Sequence, residues 1–402
     1  MNILFLNNGR FSPIESHTMY SDLMRQFRDN GHNVYIISGN ERRLEYLPEY
    51  YEDNGVSCVC VKIGNLTKCS LVEKLWTTLS MPNQYIKGIK RHLGGIKFDL
   101  IIFPTPPISL LSVVKYIKKR DGAKFYLLLK DIFPQNAVDI GIMQTSGIKG
   151  LGYKYFRKKE RELYGLADKI GCMSKANVDF VIKHNSEIDR KKLEICPNSV
   201  EILDNSVDMD TRKDIRGKYE IPQDIKVFVY GGNLGRPQGI SFVIKCLKSQ
   251  MKRDDVFFLI VGAGTEYKKI EEFIEKEKPS NVKLMERLPK EDYDKMVGAC
   301  DIGMIFLDHR FTIPNFPSRL LSYMQAKLPV FAITDVNSDI KDAIYEGGFG
   351  WWTESNNLSD FNEKVDEIIH SDLTAMRERE FKYLKENYSV ESAYRTICNA
   401  MR

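Results

Sequence analysis

The sequence predicts an α/β protein made of two doubly wound parallel sheets, and three observations carry that expectation. At 402 residues the chain exceeds the size at which one hydrophobic core keeps growing, so two domains are expected. Short apolar runs at 2–7, 33–38, 56–61, 100–103, 124–129 and 169–173 read as buried strands separated by helical stretches such as 16–29. That alternation predicts a parallel sheet with helices on its faces. The rhythm then restarts at 226–232 and continues through 256–262, 282–285, 301–307 and 329–333, which predicts a second sheet. Between the series, Cys196-Pro-Asn-Ser-Val200 and a polar stretch to Asp214 show no periodicity and read as the link. The expected domains are therefore 1–200 and 201–384, with a helical tail over 385–402 that has no strand to follow it and is expected to pack back on the first domain.

Composition narrows the class. Hydrophobic residues make up 43% and charged residues 28% of the chain, which excludes disordered and fibrous proteins. The formal charge of +5 is spread among nearly as many acids as bases, so no nucleic-acid partner is expected. The densest basic cluster is Lys149, Lys154, Arg157, Lys158, Lys159 and Arg161, interleaved with Leu151, Tyr153, Tyr155 and Phe156. It reads as a basic amphipathic helix over 149–161, either a solvated face or a peripheral contact with an anionic membrane. Eight cysteines are scattered without a Cys-x-x-Cys pair, and the histidines lack metal-type spacing, so no metal and no cofactor are expected. The apolar run at the start is too short for a signal peptide or a membrane span, which predicts a cytoplasmic location.

Four segments carry chemistry. Tyr230-Gly-Gly-Asn-Leu-Gly-Arg-Pro-Gln-Gly239 ends a strand in glycines, where backbone amides can approach an anion. Gly232, Asn233 and Arg236 are its candidate ligands, the arginine able to fork onto a phosphate; a plain tight turn is the alternative. Val261-Gly-Ala-Gly-Thr265 lacks the third glycine of a dinucleotide fingerprint and precedes an acidic helix, so Gly262 reads as a structural turn that lines a pocket at most. Ile313-Pro-Asn-Phe-Pro-Ser-Arg-Leu-Leu-Ser-Tyr323 opens a helix whose free N-terminal amides suit phosphate or sugar oxygens, with Ser318 as cap or first-turn residue. Arg319 is a cation where the helix dipole does not favour one, which points to an anionic ligand. In the first half, Lys130 and Asp131 end a buried strand, where they face a crevice as catalytic groups or pair with each other.

The order of these features resembles the family 4 glycosyltransferases, whose GT-B fold sets two Rossmann-like domains facing a central cleft. The matching motifs are Gly-Gly-Asn-Leu-Gly-Arg, Val-Gly-Ala-Gly, Leu288-Pro-Lys-Glu-Asp-Tyr293, Pro317-Ser-Arg-Leu-Leu-Ser-Tyr-Met and Lys327-Leu-Pro-Val330. Within that family the chain is similar to bacterial surface-polysaccharide enzymes, such as N-acetylfucosamine transferases, that carry Gly-Asn-Leu-Gly-Arg and an Asp-x-x-Pro segment, here Asp131 to Pro134. The resemblance implies a retaining, metal-independent hexosyltransferase that takes a nucleotide-sugar, UDP-sugar in the first instance, as substrate. It implies a growing capsule or O-antigen glycan as acceptor, including one linked to polyprenyl diphosphate at the inner face of the cytoplasmic membrane. It places the base near Arg287 and Leu288, and the diphosphate between the turn at 232–236 and the segment containing Phe316, Pro317, Ser318, Arg319, Leu320 and Ser322. The family's paired glutamates fall on Pro314 and Ser322, so a hydroxyl stands where a carboxylate usually grips the ribose. Two alternatives remain open: a sugar-nucleotide epimerase of the same fold, which needs cleft carboxylates to move protons, and a catalytically silent scaffold.

Overall fold

The computed structural model describes residues 1–106, 108–147 and 150–401, the side chain of Leu71 excepted. Lys149, at the head of the basic helix, and Arg402, at the end of the tail, lie outside the described residues. The chain divides into two compact units, Met1–Glu201 with Ser389–Arg402, and Ile202–Tyr388.

The first unit runs β1 (Asn2–Leu6), α1 (Met19–Asp29), β2 (Asn33–Glu41), β3 (Tyr50–Asp53), β4 (Val56–Ile63), α2 (Leu71–His92), β5 (Leu100–Thr105), α3 (Leu111–Asp121) and β6 (Lys124–Leu129). It continues through α4 (Gln135–Asp139), α5 (Gly150–Leu166), β7 (Lys169–Cys172), α6 (Lys175–His184) and β8 (Leu193–Ile195). The second unit runs α7 (Met209–Lys218), β9 (Lys226–Asn233), α8 (Ile240–Gln250), β10 (Val256–Ala263), α9 (Tyr267–Glu277), β11 (Val282–Met285), α10 (Lys290–Gly298) and β12 (Ile302–Phe306). It ends with α11 (Arg319–Gln325), β13 (Val330–Thr334), α12 (Ile340–Gly347), β14 (Gly350–Glu354), α13 (Leu358–Ile369) and α14 (Thr374–Asn387), before α15 (Val390–Ala400) rejoins the first unit.

In the first sheet the order is β3-β4-β2-β1-β5-β6-β7-β8, parallel except where β3 meets β4. In the second it is β11-β10-β9-β12-β13-β14, all parallel. Central strands such as β5 and β12 are buried at every position because helices cover both sheet faces. α15 gives Val390, Ala393 and Ile397 to the core that Ile3, Phe5, Leu23 and Phe27 form in the first unit.

Three strands lie beyond the sequence reading. β3 and β8 are edge strands of only four and three residues, and β14 alternates buried and half-buried positions around two tryptophans. The stretch expected to be an aperiodic link also holds α7. Asp208 starts that helix by accepting from the Thr211 amide at 2.7 Å, a cap that leaves no hydrophobic rhythm to read. The tail is two helices rather than one, because Ser389 caps α15 through the Ser392 amide at 3.3 Å.

α7 exists for one buried side chain. Arg216 is fully buried and donates to the Ala299 and Pro222 carbonyls at 2.8 Å and to Asp301 Oδ2 at 2.7 Å. Arg212 holds the other oxygen of Asp301 at 2.7 Å. Here a buried charge is matched by an opposite one and by carbonyls, the condition under which burial is tolerated. Arg216→Met leaves the Asp301 carboxylate half-paired and those carbonyls without a donor, so chemical denaturation is expected to show a loss of about 3–5 kcal/mol. A loss below about 1 kcal/mol would contradict this reading of α7.

Candidate functional site

In an open parallel sheet a ligand crevice forms beyond the strand C-termini where the strand order reverses. In the second unit that point lies between β9 and β12. β9 pairs with β10 over eight residues, but with β12 only at Phe228↔Ile302 and Val229↔Gly303. Beyond Val229 the gap is bridged by Tyr323 of α11, whose hydroxyl accepts from the Gly231 amide at 3.3 Å and donates to the Met304 carbonyl at 3.0 Å. The tyrosines dictate the glycines. A Cβ on Gly303 would stand 2.5 Å from the Tyr323 ring, and one on Gly231 would stand 1.8 Å from the Tyr293 hydroxyl oxygen.

Arg319, the first residue of α11, enters this crevice. Its guanidinium lies over the Tyr230 ring, 4.4 Å from the centroid. Nη2 would be 3.4 Å from a Cβ on Gly232, whose φ of +119° is one that glycine adopts freely. Nη1 is buried and has no hydrogen-bond partner. The surrounding aromatics carry no charge: burial pushes Tyr293 up to about 12 and raises Tyr230 and Tyr323 as well. Among the described residues no carboxylate forms an ion pair with Arg319, in contrast to Arg216. The cation is held by a ring face, with Nη2 on the Gly232 side and Nη1 buried without a partner among the described residues.

The glycine segment is ordered by its own bonds. Gly231 to Asn233 belong to β9, and the turn proper follows them. Tyr230 donates to the Asn233 carbonyl at 2.9 Å, and Gln238 Oε1 accepts from Asn233 Nδ2 at 2.9 Å and from the Gly235 amide at 3.2 Å. Asp308, at the end of β12, ties its amide to the Pro237 carbonyl at 2.9 Å and its carboxylate to Arg310 at 2.7 and 2.8 Å. Arg236 points outward, exposed. Gly262 is buried, and a Cβ there would fall 1.9 Å from the Gly232 carbonyl oxygen, so its place in β10 is one of packing.

The structure therefore brings Gly232 and Arg319 together, and it sets other candidates elsewhere. Arg287 is exposed and Leu288 half-buried in the segment after β11, two strands from β9, and no hydrogen bond, ion pair or ring contact among the described residues joins them to Arg319. Phe316 is buried, its ring 5.8 Å from that of Tyr388, and Leu320 is fully buried; both serve the core. Pro317 and Ser322 are half-buried. Ser318 precedes α11 with helical backbone angles and makes no capping bond. The expectation of free amides at this helix start is corrected: the Leu320 and Leu321 amides are already bonded to the Pro317 and Ser318 carbonyls at 3.2 and 3.1 Å. Tyr230, Tyr293 and Tyr323 escape the sequence reading. Their signal is indirect, a glycine inside each of two buried strands paired with a tyrosine on a later helix.

In the first unit, Lys130 and Asp131 do not pair with each other. Lys130 Nζ turns to the Pro197 and Cys196 carbonyls at 3.2 and 3.4 Å, and burial pushes its ammonium down. Asp131 accepts from Asn136 Nδ2 at 2.5 Å, its other oxygen has no partner, and burial pushes the carboxyl up to about 6. The ion-pair alternative fails because the two side chains leave opposite faces of the chain as successive residues beyond a strand. The only grouping of metal-ligand type among the described residues is His17, Asp22 and Glu201. Arg25 already occupies it, 2.7 Å from Asp22 and 2.5 Å from Glu201.

Residues 211–386 match the family described as "Glycosyl transferases group 1". The chain is 25% identical over 317 residues to the probable glycosyltransferase WbjE of Pseudomonas aeruginosa, covering 76% of this chain and 74% of that protein. It is 23% identical over 212 residues to the putative colanic acid biosynthesis glycosyl transferase WcaI of Escherichia coli K12, covering 52% and 49%. Sucrose-phosphate synthase from Thermosynechococcus elongatus superposes with a TM-score of 0.75 at 12% identity, over 98% of this chain and 97% of that one. HepE of Anabaena, in complex with UDP, does so with 0.67 at 15% identity, over 100% and 99%. The fold is of the GT-B type.

Asp131 yields a test of its surroundings. A carboxyl raised from the usual 3.8 to about 6 binds its proton more tightly in the folded state, so its contribution to stability is lost as pH rises between those values. Asp131→Asn removes that loss. The variant is expected to be more stable than the parent by about 1–3 kcal/mol at pH 8, with the difference vanishing below pH ~4, in thermal melts across pH. A difference independent of pH would contradict it.

Proposed function

From a chain whose residues 211–386 match the glycosyl transferases group 1 family, we propose a transferase that moves a sugar from a nucleoside diphosphate, UDP in the first instance, to a growing surface glycan. The observation that carries the reading is Arg319, a half-buried cation whose guanidinium lies on Tyr230 beside Gly232, with a buried unpartnered Nη1 and no carboxylate partner among the described residues. A diphosphate supplies the charge and the acceptor oxygens this site lacks. As the bond to the sugar breaks, negative charge grows on the leaving phosphate, and a guanidinium already fixed in place stabilises that charge without reorganising. A divalent cation at the same spot would be repelled, which supports a metal-independent reaction.

In this reading Gly232, Asn233 and Arg236 flank the diphosphate, the segment at Arg287 and Leu288 receives the base, and Ser322 offers a hydroxyl toward the ribose. The sugar departs with retention of configuration, the leaving phosphate taking the acceptor's proton. Lys130 and Asp131 are the candidate catalytic groups of the first unit, neither of them in an ion pair among the described residues. The name of WcaI supports a polysaccharide acceptor, and HepE with UDP supports the nucleotide. A lipid-linked acceptor is the form of that glycan best suited to an enzyme that works at a membrane.

The test is a thermal-shift panel with UDP, GDP, ADP and TDP, followed by donor hydrolysis for whichever nucleotide stabilises the fold. At a hundredfold excess over Kd, UDP is expected to add about 2.7 kcal/mol, read as a rise in Tm. A panel in which no nucleotide raises Tm would contradict the proposal.

A further inference from the structure

α2 leaves an apolar stripe in solvent. Its inner face is used: Thr77, Met81, Tyr85 and Ile89 are each no more than 1% exposed. On the opposite side Val72, Leu75, Trp76 and Leu79 are 79, 58, 74 and 54% exposed. The spacing i, i+3, i+4, i+7 gathers them within an arc of about 100°, pointing directly away from the packed face. A helix that already has a core face gains nothing in folding from a second apolar stripe, and four adjacent large apolar side chains in water mark a place where something binds.

Charge identifies what binds. Between Lys62 and His92 the sequence carries Lys62, Lys68, Lys74, Lys87, Lys90 and Arg91 against the single acid Glu73. Glu73 is itself engaged, 3.0 Å from Arg42 and 2.8 Å from Asn65. Continuing the stripe along the helix brings Asn83, Lys87 and Lys90 onto the same side, so the first half of the outer face is apolar and the second half basic. Beside that second half a pocket of about 370 Å³ opens between α2 and β4, lined by Lys62, Lys87, Arg91, Gln84 and Tyr46, with Glu49 turned to Arg91 at 2.9 Å. Two copies docked through this face would press lysine against lysine, and one short stripe is far below the area of about 1,200 Å² that a stable interface buries. An anionic bilayer satisfies both halves at once. Trp76 and its neighbours enter the boundary between headgroups and acyl chains, while the lysines meet the phosphates.

We propose that α2 is the surface by which this protein docks on anionic membranes, lying flat with Val72, Leu75, Trp76 and Leu79 inserted. The inference does not depend on the transferase reading, since it rests on α2 and its basic flank alone. It also differs from a contact through 149–161. On α5, Arg157 is tied to Asn185 at 2.6 Å and to the His184 carbonyl at 2.7 Å, so that helix spends part of its charge within the protein.

The test uses the full chain with vesicles of phosphatidylcholine, with and without about 30% phosphatidylglycerol. Binding is followed by co-sedimentation and by tryptophan emission, for which Trp76 is the exposed reporter while Trp351 is 4% exposed and Trp352 half-buried. The expected result is salt-sensitive binding to the anionic vesicles with a blue-shifted emission. Leu75→Ser with Trp76→Ser should weaken binding at least tenfold in co-sedimentation, whereas Lys154→Gln with Lys158→Gln should change it less than twofold. Circular dichroism and the thermal melt of each variant confirm that the fold persists. Absence of vesicle binding, equal binding to neutral vesicles, or loss of binding only in the α5 variant would overturn the proposal. So would a parent protein that ignores vesicles but sediments as a dimer that the α2 variant converts to monomer.

Discussion

A guanidinium lying on a tyrosine ring, with no carboxylate to answer it, is the interaction around which the second unit is arranged. Holding Arg319 over Tyr230 requires α11 to start at the mouth of the β9–β12 gap, and Tyr323 one turn later fixes that start by bonding across the gap. Tyr323 and Tyr293 then require Gly303 and Gly231, because any side chain on those strands would collide with them. Gly262 has a separate cause, the Gly232 carbonyl of the paired strand. One cation is thus bound up with three tyrosines and with the two glycines they require, Gly231 and Gly303, over more than ninety residues of sequence from Tyr230 to Tyr323.

The contrast with Arg216 is what supports the proposed role of Arg319. Arg216 is fully buried and Arg319 half-buried, yet Arg216 meets Asp301 and a set of carbonyls whereas Arg319 meets neutral rings. A fold selected for stability alone would give Arg319 an acid or replace it by an apolar residue. On the proposed reading, leaving it unanswered keeps the site ready for an anion and costs stability until one arrives. Asp131 in the first unit follows a similar logic on a smaller scale, a carboxyl raised by burial with one oxygen unpartnered at the end of β6.

The sequence carries the architecture well and the site unevenly, for physical reasons. Parallel strands covered on both faces become continuous apolar runs, so β1, β5, β6, β9, β10 and β12 are all legible. β3, β8 and β14 are short or half-buried and do not announce themselves. α7 is held by a cap and a buried arginine, neither of which leaves hydrophobic periodicity. Arg319 stands out because a cation opposes the dipole at a helix start, but its partners are far away in sequence and the aromatic slot is a tertiary fact. Lys130 and Asp131 show that adjacency says little about pairing: beyond a strand, successive side chains diverge, one to the Pro197 carbonyl and the other to Asn136. The outer face of α2 is readable as an apolar stripe, but only the structure shows that a different face of the helix is the buried one.

The most direct test of the account is calorimetric titration of the parent and Arg319→Met with UDP and with uridine. If Arg319 exists to meet the diphosphate, the variant loses at least tenfold in UDP affinity, keeps its affinity for uridine, and is no less stable without ligand. Equal UDP affinity in the two proteins, or an equal loss for uridine and UDP, would contradict it.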